Sequence, residues 1–121
     1  MEIDELYLLN PWWKEPSAIN FERNISKYKS STFRFYPEKT FNQIPPDKPG
    51  IYTLRGPRQV GKTTFLKLYI KNLIEEGINP TGIFYLSCDG IRDRFELNEI
   101  IKLYFESFGK SLKSMKYIFL D

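Results

Sequence analysis

Eight consecutive residues, Gly56-Pro57-Arg58-Gln59-Val60-Gly61-Lys62-Thr63, have the types and spacing to bind an anion. They fit the pattern G-x-x-x-x-G-K-S/T, in which each fixed position has a physical task. Gly56 and Gly61 permit backbone angles and a closeness of approach that a Cβ would block. The main chain running through Pro57, Arg58, Gln59 and Val60 then forms one concavity, into which successive N–H groups point at phosphate oxygens. A loop of this kind opens a helix, so the positive end of the helix dipole faces the anion. Lys62 can set its ammonium between a β- and a γ-phosphate, and the Thr63 hydroxyl can ligate Mg²⁺. The side chains of Arg58 and Gln59 can also reach a phosphate or a base. Residues between the glycines vary freely on mechanical grounds, so these two are read as solvated or loop-stabilising.

A second element completes the chemistry. Tyr117-Ile118-Phe119-Leu120-Asp121 is a hydrophobic strand pattern ending in a carboxylate. Beyond a P-loop, such an aspartate holds the Mg²⁺ that also touches the loop hydroxyl. The expected metal donors are therefore Thr63 and Asp121, both with the hard oxygen ligands that Mg²⁺ takes. Asp89 follows another strand candidate at the edge where ligands collect in open α/β folds. A turn with Gly90 is the preferred role for it, and Cys88 reads as a small buried apolar residue. With one cysteine and no histidine, a single chain has no internal disulfide, no Cys/His zinc site and no His-based triad. No residue is assigned a catalytic role.

The elements that must position these groups can be read from periodicity. Ile51-Tyr52-Thr53-Leu54-Arg55 is a β-rich run placed directly before the glycine loop. Thr63 to Glu76 reads as a helix, with Leu66, Tyr69, Ile70, Leu73 and Ile74 on one face and Gly77 as its stop. Gly82 to Ser87 is a second strand candidate. Leu97, Ile100, Ile101, Tyr104 and Phe108 form a second helical stripe, and the strand ending in Asp121 follows. Alternation of this kind predicts α/β architecture, a parallel sheet with right-handed crossovers.

Residues 1–50 differ in texture. They hold six of the eight prolines, both tryptophans and little helical periodicity, and residues 44–50 read as a proline-based linker. The expected organisation is an aromatic, proline-rich arm and linker over 1–50 and the P-loop domain over 51–121. Trp12, Trp13, Phe33, Phe35 and Tyr36 are read as packing on that domain; the few nearby cations do not support a stacking platform for nucleic acid. The net charge of +3 lies wholly in residues 51–121 and is accounted for by phosphate binding. The N-terminus is acidic where a secretory signal is basic, and no apolar run has the length of a membrane span. A cytoplasmic protein with no membrane partner is expected.

The stretch Gly56 to Thr64, with the aspartate-ended strand further on, resembles the archaeal AAA-type ATPases whose P-loop reads GPR-x-VGKTT. Asn10-Pro11-Trp12-Trp13 and Phe84-Tyr85-Leu86-Ser87-Cys88-Asp89 are similar to segments of the same proteins. The resemblance implies a P-loop NTPase fold of three αβα layers. It also implies ATP and Mg²⁺ as ligands, Thr64 beside Lys62 and Thr63 at the nucleotide, and Asp121 as the Walker B aspartate. In such proteins a water-orienting glutamate follows that aspartate. The chain is therefore expected to be the N-terminal portion of an ATPase, truncated after its third strand. Its partner would be a missing C-terminal half or another protein, and it is expected to hydrolyse ATP very slowly or not at all. The alternatives are a kinase- or GTPase-type P-loop protein and a non-hydrolysing nucleotide-binding module.

Overall fold

The computed structural model describes residues 1–31, 38–47, 50–53, 61–108 and 116–121. It forms two compact units, one of Met1–Pro16 with Asn79–Asp121 and the other of Ser17–Ile78.

The first unit is mixed α/β. Strand β1 (Ile83–Leu86) and strand β2 (Tyr117–Leu120) pair in parallel, Ile83 opposite Tyr117 and Leu86 opposite Leu120. Parallel neighbours need a crossover, and a 15-residue helix supplies it. That helix opens where the Asp93 carboxylate accepts the Glu96 N–H at 2.9 Å, and it presents Ile100 and Tyr104 to the interior. All four residues of β1 are buried, as suits an unbroken apolar run. In β2 only alternate residues are well exposed, Ile118 and Leu120. Helix α1 (Ile3–Leu9) and a 3₁₀ turn (Pro11–Trp13) bring the N-terminus onto β1. The Trp13 ring stacks at 5.4 Å on Tyr104 and at 6.1 Å on Phe84, while Tyr7 and Phe108 meet it edge-on. Trp12 and Trp13 thus pack on the strand as their composition suggests; Phe33, Phe35 and Tyr36 lie outside the described residues.

The outer edge of β1 is closed by side chains. Asp121 N–H donates to Leu86 O and Cys88 N–H to Asp121 O, so even-numbered residues of this segment face β2. The main-chain groups of Ile83 and Tyr85 point the other way. There the Asn10 amide donates to Tyr85 O at 3.0 Å and accepts the Tyr85 N–H at 2.6 Å. The indole N–H groups of Trp12 and Trp13 both donate to Ile83 O, at 3.0 and 2.7 Å. Asn10, fully buried, also donates to Leu6 O and so ties the end of α1 to the strand.

The second unit is helical among its described residues. A 3₁₀ stretch (Pro16–Phe21) leads into α2 (Arg23–Ser30); α3 (Glu38–Asn42) and α4 (Lys62–Glu75) follow. The Glu22 carboxylate caps α2 by accepting the N–H groups of Asn24 and Ile25 at 2.9 and 3.1 Å. It also lies 3.8 Å from the ammonium of Lys67 on α4, with both side chains nearly buried. Phe41 of α3 stacks on Phe65 at 4.9 Å, and the Tyr69 hydroxyl donates to Ile44 O at 2.7 Å. Helix α4 stops at Gly77, whose φ of 89° suits glycine. There Ile78 N–H bonds Leu73 O and Gly77 N–H bonds Ile74 O, the two bonds of a Schellman ending. The helix between β1 and β2 (Arg94–Phe108) is α5.

The expected helix over 63–76 and the strands within 82–87 and 117–121 match α4, β1 and β2 to within a residue or so. Three points differ. Phe65, Lys67 and Leu68 are buried while Leu66 and Ile74 are half-buried, because α2 and α3 cover more of α4 than one stripe. Among the described residues of the first fifty are three α-helices, each too short to show periodicity. Residues 51–53 are not in a strand, and Ile51 and Tyr52 are exposed. A β-rich run becomes a strand only when a neighbour supplies its ladder; Leu54 and Arg55 lie outside the described residues.

Two predictions follow from this packing. Asn10→Ala leaves the buried N–H and C=O of Tyr85 unpaired, and should lower unfolding stability by about 2–4 kcal/mol. A shifted urea midpoint at constant slope would show it. Burial also pushes the Tyr104 phenol up to about 12, while its hydroxyl donates to Thr81 O at 2.6 Å. The contribution of Tyr104 to stability is therefore complete below the unfolded value of about 10 and is lost as pH rises from there through about 12. In an alkaline titration followed by phenolate absorbance, one ionisation near pH 12 should be missing from Tyr104→Phe.

Candidate functional site

The surroundings of two groups of candidate residues are described, each within its own unit. The first is the start of α4. Gly61 is the N-cap residue, with φ 85° and ψ 18°, and its carbonyl accepts the Phe65 N–H at 2.8 Å. A Cβ placed on Gly61 would meet no atom within 4 Å, so it is the left-handed conformation, not crowding, that calls for glycine. Lys62 is the first helical residue, followed by Thr63 and Thr64, all three half-buried. Glycine offers no side-chain cap and the first turn carries no acidic residue. The helix therefore begins with N–H groups at a positive dipole end and with a lysine as its first residue, an environment suited to an anion. Gly56, Pro57, Arg58, Gln59 and Val60 lie outside the described residues.

The second part is the carboxyl end of β2. Asp121 follows the strand directly, and its backbone continues the ladder through Leu86 O and the Cys88 N–H. Its side chain is held as well: the Tyr85 hydroxyl donates to Asp121 Oδ2 at 2.5 Å. Tyr85 stands opposite Phe119, so Asp121, two residues further, lies on the same face of the sheet within reach of a phenol. Cys88 is half-buried, and burial pushes its thiol up, with the negative charges of Asp121 and then Asp89 adding to the effect. It is a protonated thiol at neutral pH. Asp89 is exposed and belongs to a turn, with Ile91 N–H bonded to Cys88 O at 3.1 Å and Gly90 at φ 88°.

Tyr85 is the residue that reading the sequence alone misses. In Ile83-Phe84-Tyr85-Leu86 it reads as one more apolar strand residue. Only the register between β1 and β2 puts its hydroxyl on the aspartate.

A family model described as an AAA domain matches residues 48–121, more than half of the chain. The chain belongs to the AAA domain family. No curated protein and no solved structure matches it.

The matched segment of this AAA domain contains the glycine-lysine-threonine stretch, α4, β1, α5 and β2. Family membership makes the chain a P-loop, nucleotide-binding domain of general AAA type, and AAA domains generally bind ATP with Mg²⁺. The small parallel sheet of two strands agrees with that family. Among the described residues, no helix of this AAA domain is long and apolar enough to cross a membrane.

The left-handed Gly61 is a point of direct test. Gly61→Ala should destabilise the AAA domain by about 1–2 kcal/mol although the added methyl touches nothing. Gly61→Asn, whose side chain tolerates that conformation, should cost less, and urea unfolding of the three proteins would rank them.

Proposed function

We propose that this chain binds ATP with Mg²⁺ through a Walker A loop over Gly56–Thr63, with Thr64 adjoining, and a Walker B carboxylate at Asp121. The observation that carries the reading is the start of α4. There the G-K-T end of the motif meets a glycine in left-handed conformation and a helix with no acidic residue in its first turn. Main-chain groups from Gly56 to Gly61 would cradle the phosphates, and Lys62 would neutralise charge between the β- and γ-phosphates. The Thr63 hydroxyl and the Asp121 carboxylate are oxygen donors of the kind Mg²⁺ accepts, and Mg²⁺ needs only one or two such ligands beside phosphate and water. Bound Mg²⁺ would neutralise the phosphate oxygens. Thr63 and Asp121 would share it directly or through water.

Within the AAA family, the loop spelling Gly56-Pro57-Arg58-Gln59-Val60-Gly61-Lys62-Thr63-Thr64 supports assignment to the archaeal GPR-x-VGKTT type. On the same reading β1 and β2 are two strands of a three-layer αβα P-loop fold, with residues 1–50 as an arm and linker beside the domain at 51–121.

Lys62→Ala tests the reading. Losing one charge-assisted phosphate contact should weaken ATP binding by roughly 10- to 100-fold in calorimetry, with an unchanged circular dichroism spectrum. Equal affinity in wild type and variant would remove Lys62, and with it the P-loop assignment.

A further inference from the structure

We infer that Tyr85 is the positioning residue of the metal site: its hydroxyl sets the carboxylate of Asp121 in the orientation from which that carboxylate takes Mg²⁺ beside the nucleotide. The inference rests on the reading of Asp121 as a metal ligand and adds a residue that no P-loop motif contains.

The geometry is specific. The O–H···O separation of 2.5 Å lies at the short end for a phenol donating to a carboxylate, a charge-assisted bond about twice as strong as a neutral one. The donor does not wander, because Tyr85 is only 4% exposed and its own N–H and C=O are held by Asn10. The acceptor is fixed from the backbone too, since the Asp121 N–H and C=O bond Leu86 O and the Cys88 N–H at 2.9 and 2.7 Å. An aspartate so anchored keeps only its side-chain torsions. A bond to Oδ2 settles them and thereby sets the direction of Oδ1.

The chemistry is compatible with a metal. Mg²⁺ is commonly bound through one oxygen of a carboxylate, so a hydrogen bond to the other oxygen does not compete with it. Partners of this kind behind a ligand orient it, and their loss typically weakens metal affinity by about 10- to 100-fold. A phenol also withdraws some negative charge from the carboxylate. The gain assigned to Tyr85 is therefore orientation, which outweighs that withdrawal because an unheld carboxylate must lose rotational freedom when it binds.

Tyr85→Phe removes one oxygen and keeps the ring that fills the site. Nucleotide binding to the full chain is measured by calorimetry with ATP in EDTA and in a Mg²⁺ series, with Asp121→Asn alongside. Tyr85→Phe should bind metal-free ATP as the wild type does and need about tenfold more Mg²⁺ to reach the same gain in affinity. Asp121→Asn should lose most of that gain. If Asp121→Asn keeps the full Mg²⁺ response, the metal role of Asp121 fails and the inference falls with it. If Asp121→Asn loses the response while Tyr85→Phe keeps the wild-type Mg²⁺ requirement, the inference alone is wrong. A loss of metal-free ATP affinity in Tyr85→Phe equal to its loss with Mg²⁺ would mean a purely structural role, and would also overturn it. Should Tyr85→Phe not fold, wild-type protein labelled at the tyrosine ζ-carbon decides by NMR. Mn²⁺ added with ATP should broaden the Tyr85 signal before those of the other tyrosines, and an unaffected Tyr85 signal refutes the proposal.

Discussion

All four residues of strand β1 are buried, yet among the described residues it has one strand neighbour. Its main-chain groups on the far side must find partners, and three side chains from Asn10-Pro11-Trp12-Trp13 provide them. The groups at stake are the N–H and C=O of Tyr85 and the C=O of Ile83. Unpaired and buried, each would cost about 1–3 kcal/mol, so together they rival the whole stability of an ordinary small domain. The asparagine amide does what a neighbouring strand would do, offering one donor and one acceptor to a single residue. Two indole N–H groups converge on the next outward carbonyl. The edge is thereby closed to further pairing, which is also how natural sheets avoid association through an exposed strand.

The same arrangement fixes the candidate metal carboxylate. Asn10 holds Tyr85, Tyr85 holds Asp121 Oδ2, and the ladder between β1 and β2 holds the Asp121 backbone. A residue near the N-terminus is thus connected to the last residue of the chain through two side chains and no flexible link. Ligands held within a fraction of an ångström before binding lose little freedom on binding. The aromatic cluster of Trp13, Phe84, Tyr104 and Phe108 serves the same end, since it locks the helix that carries the chain from β1 to β2.

In the helical unit a single carboxylate does two tasks. Glu22 satisfies two N–H groups at the start of α2 and also faces Lys67 on α4. A lysine as buried as Lys67 has an unfavourable desolvation that an opposite charge offsets. The pair therefore contributes more to where α2 sits on α4 than to net stability. With the Phe41–Phe65 stack, it supports the helix whose first residues are Lys62 and Thr63.

Much of this was legible in the order of residues alone. The glycine at 61 was legible as the residue before a helix, because only glycine adopts the left-handed backbone found there at no steric cost; Gly56 lies outside the described residues. Long apolar periodicity announced α4 and α5, and unbroken apolar runs announced β1 and β2. Helices α1, α2 and α3 were not legible: five to eight residues contain too few turns to show a period, and their ends depend on local carboxylates such as Glu22. Nor could the strand sequences reveal that Ile51–Thr53 lacks a ladder, since pairing is a property of neighbours. The tertiary structure alone decided that Asn10 and two tryptophans are hydrogen-bonding groups as well as apolar bulk. It alone decided, through a parallel register of four residue pairs, that Tyr85 stands beside Asp121. A sequence records which atoms are available; which of them meet across 36 or 75 positions is set by strand register and burial.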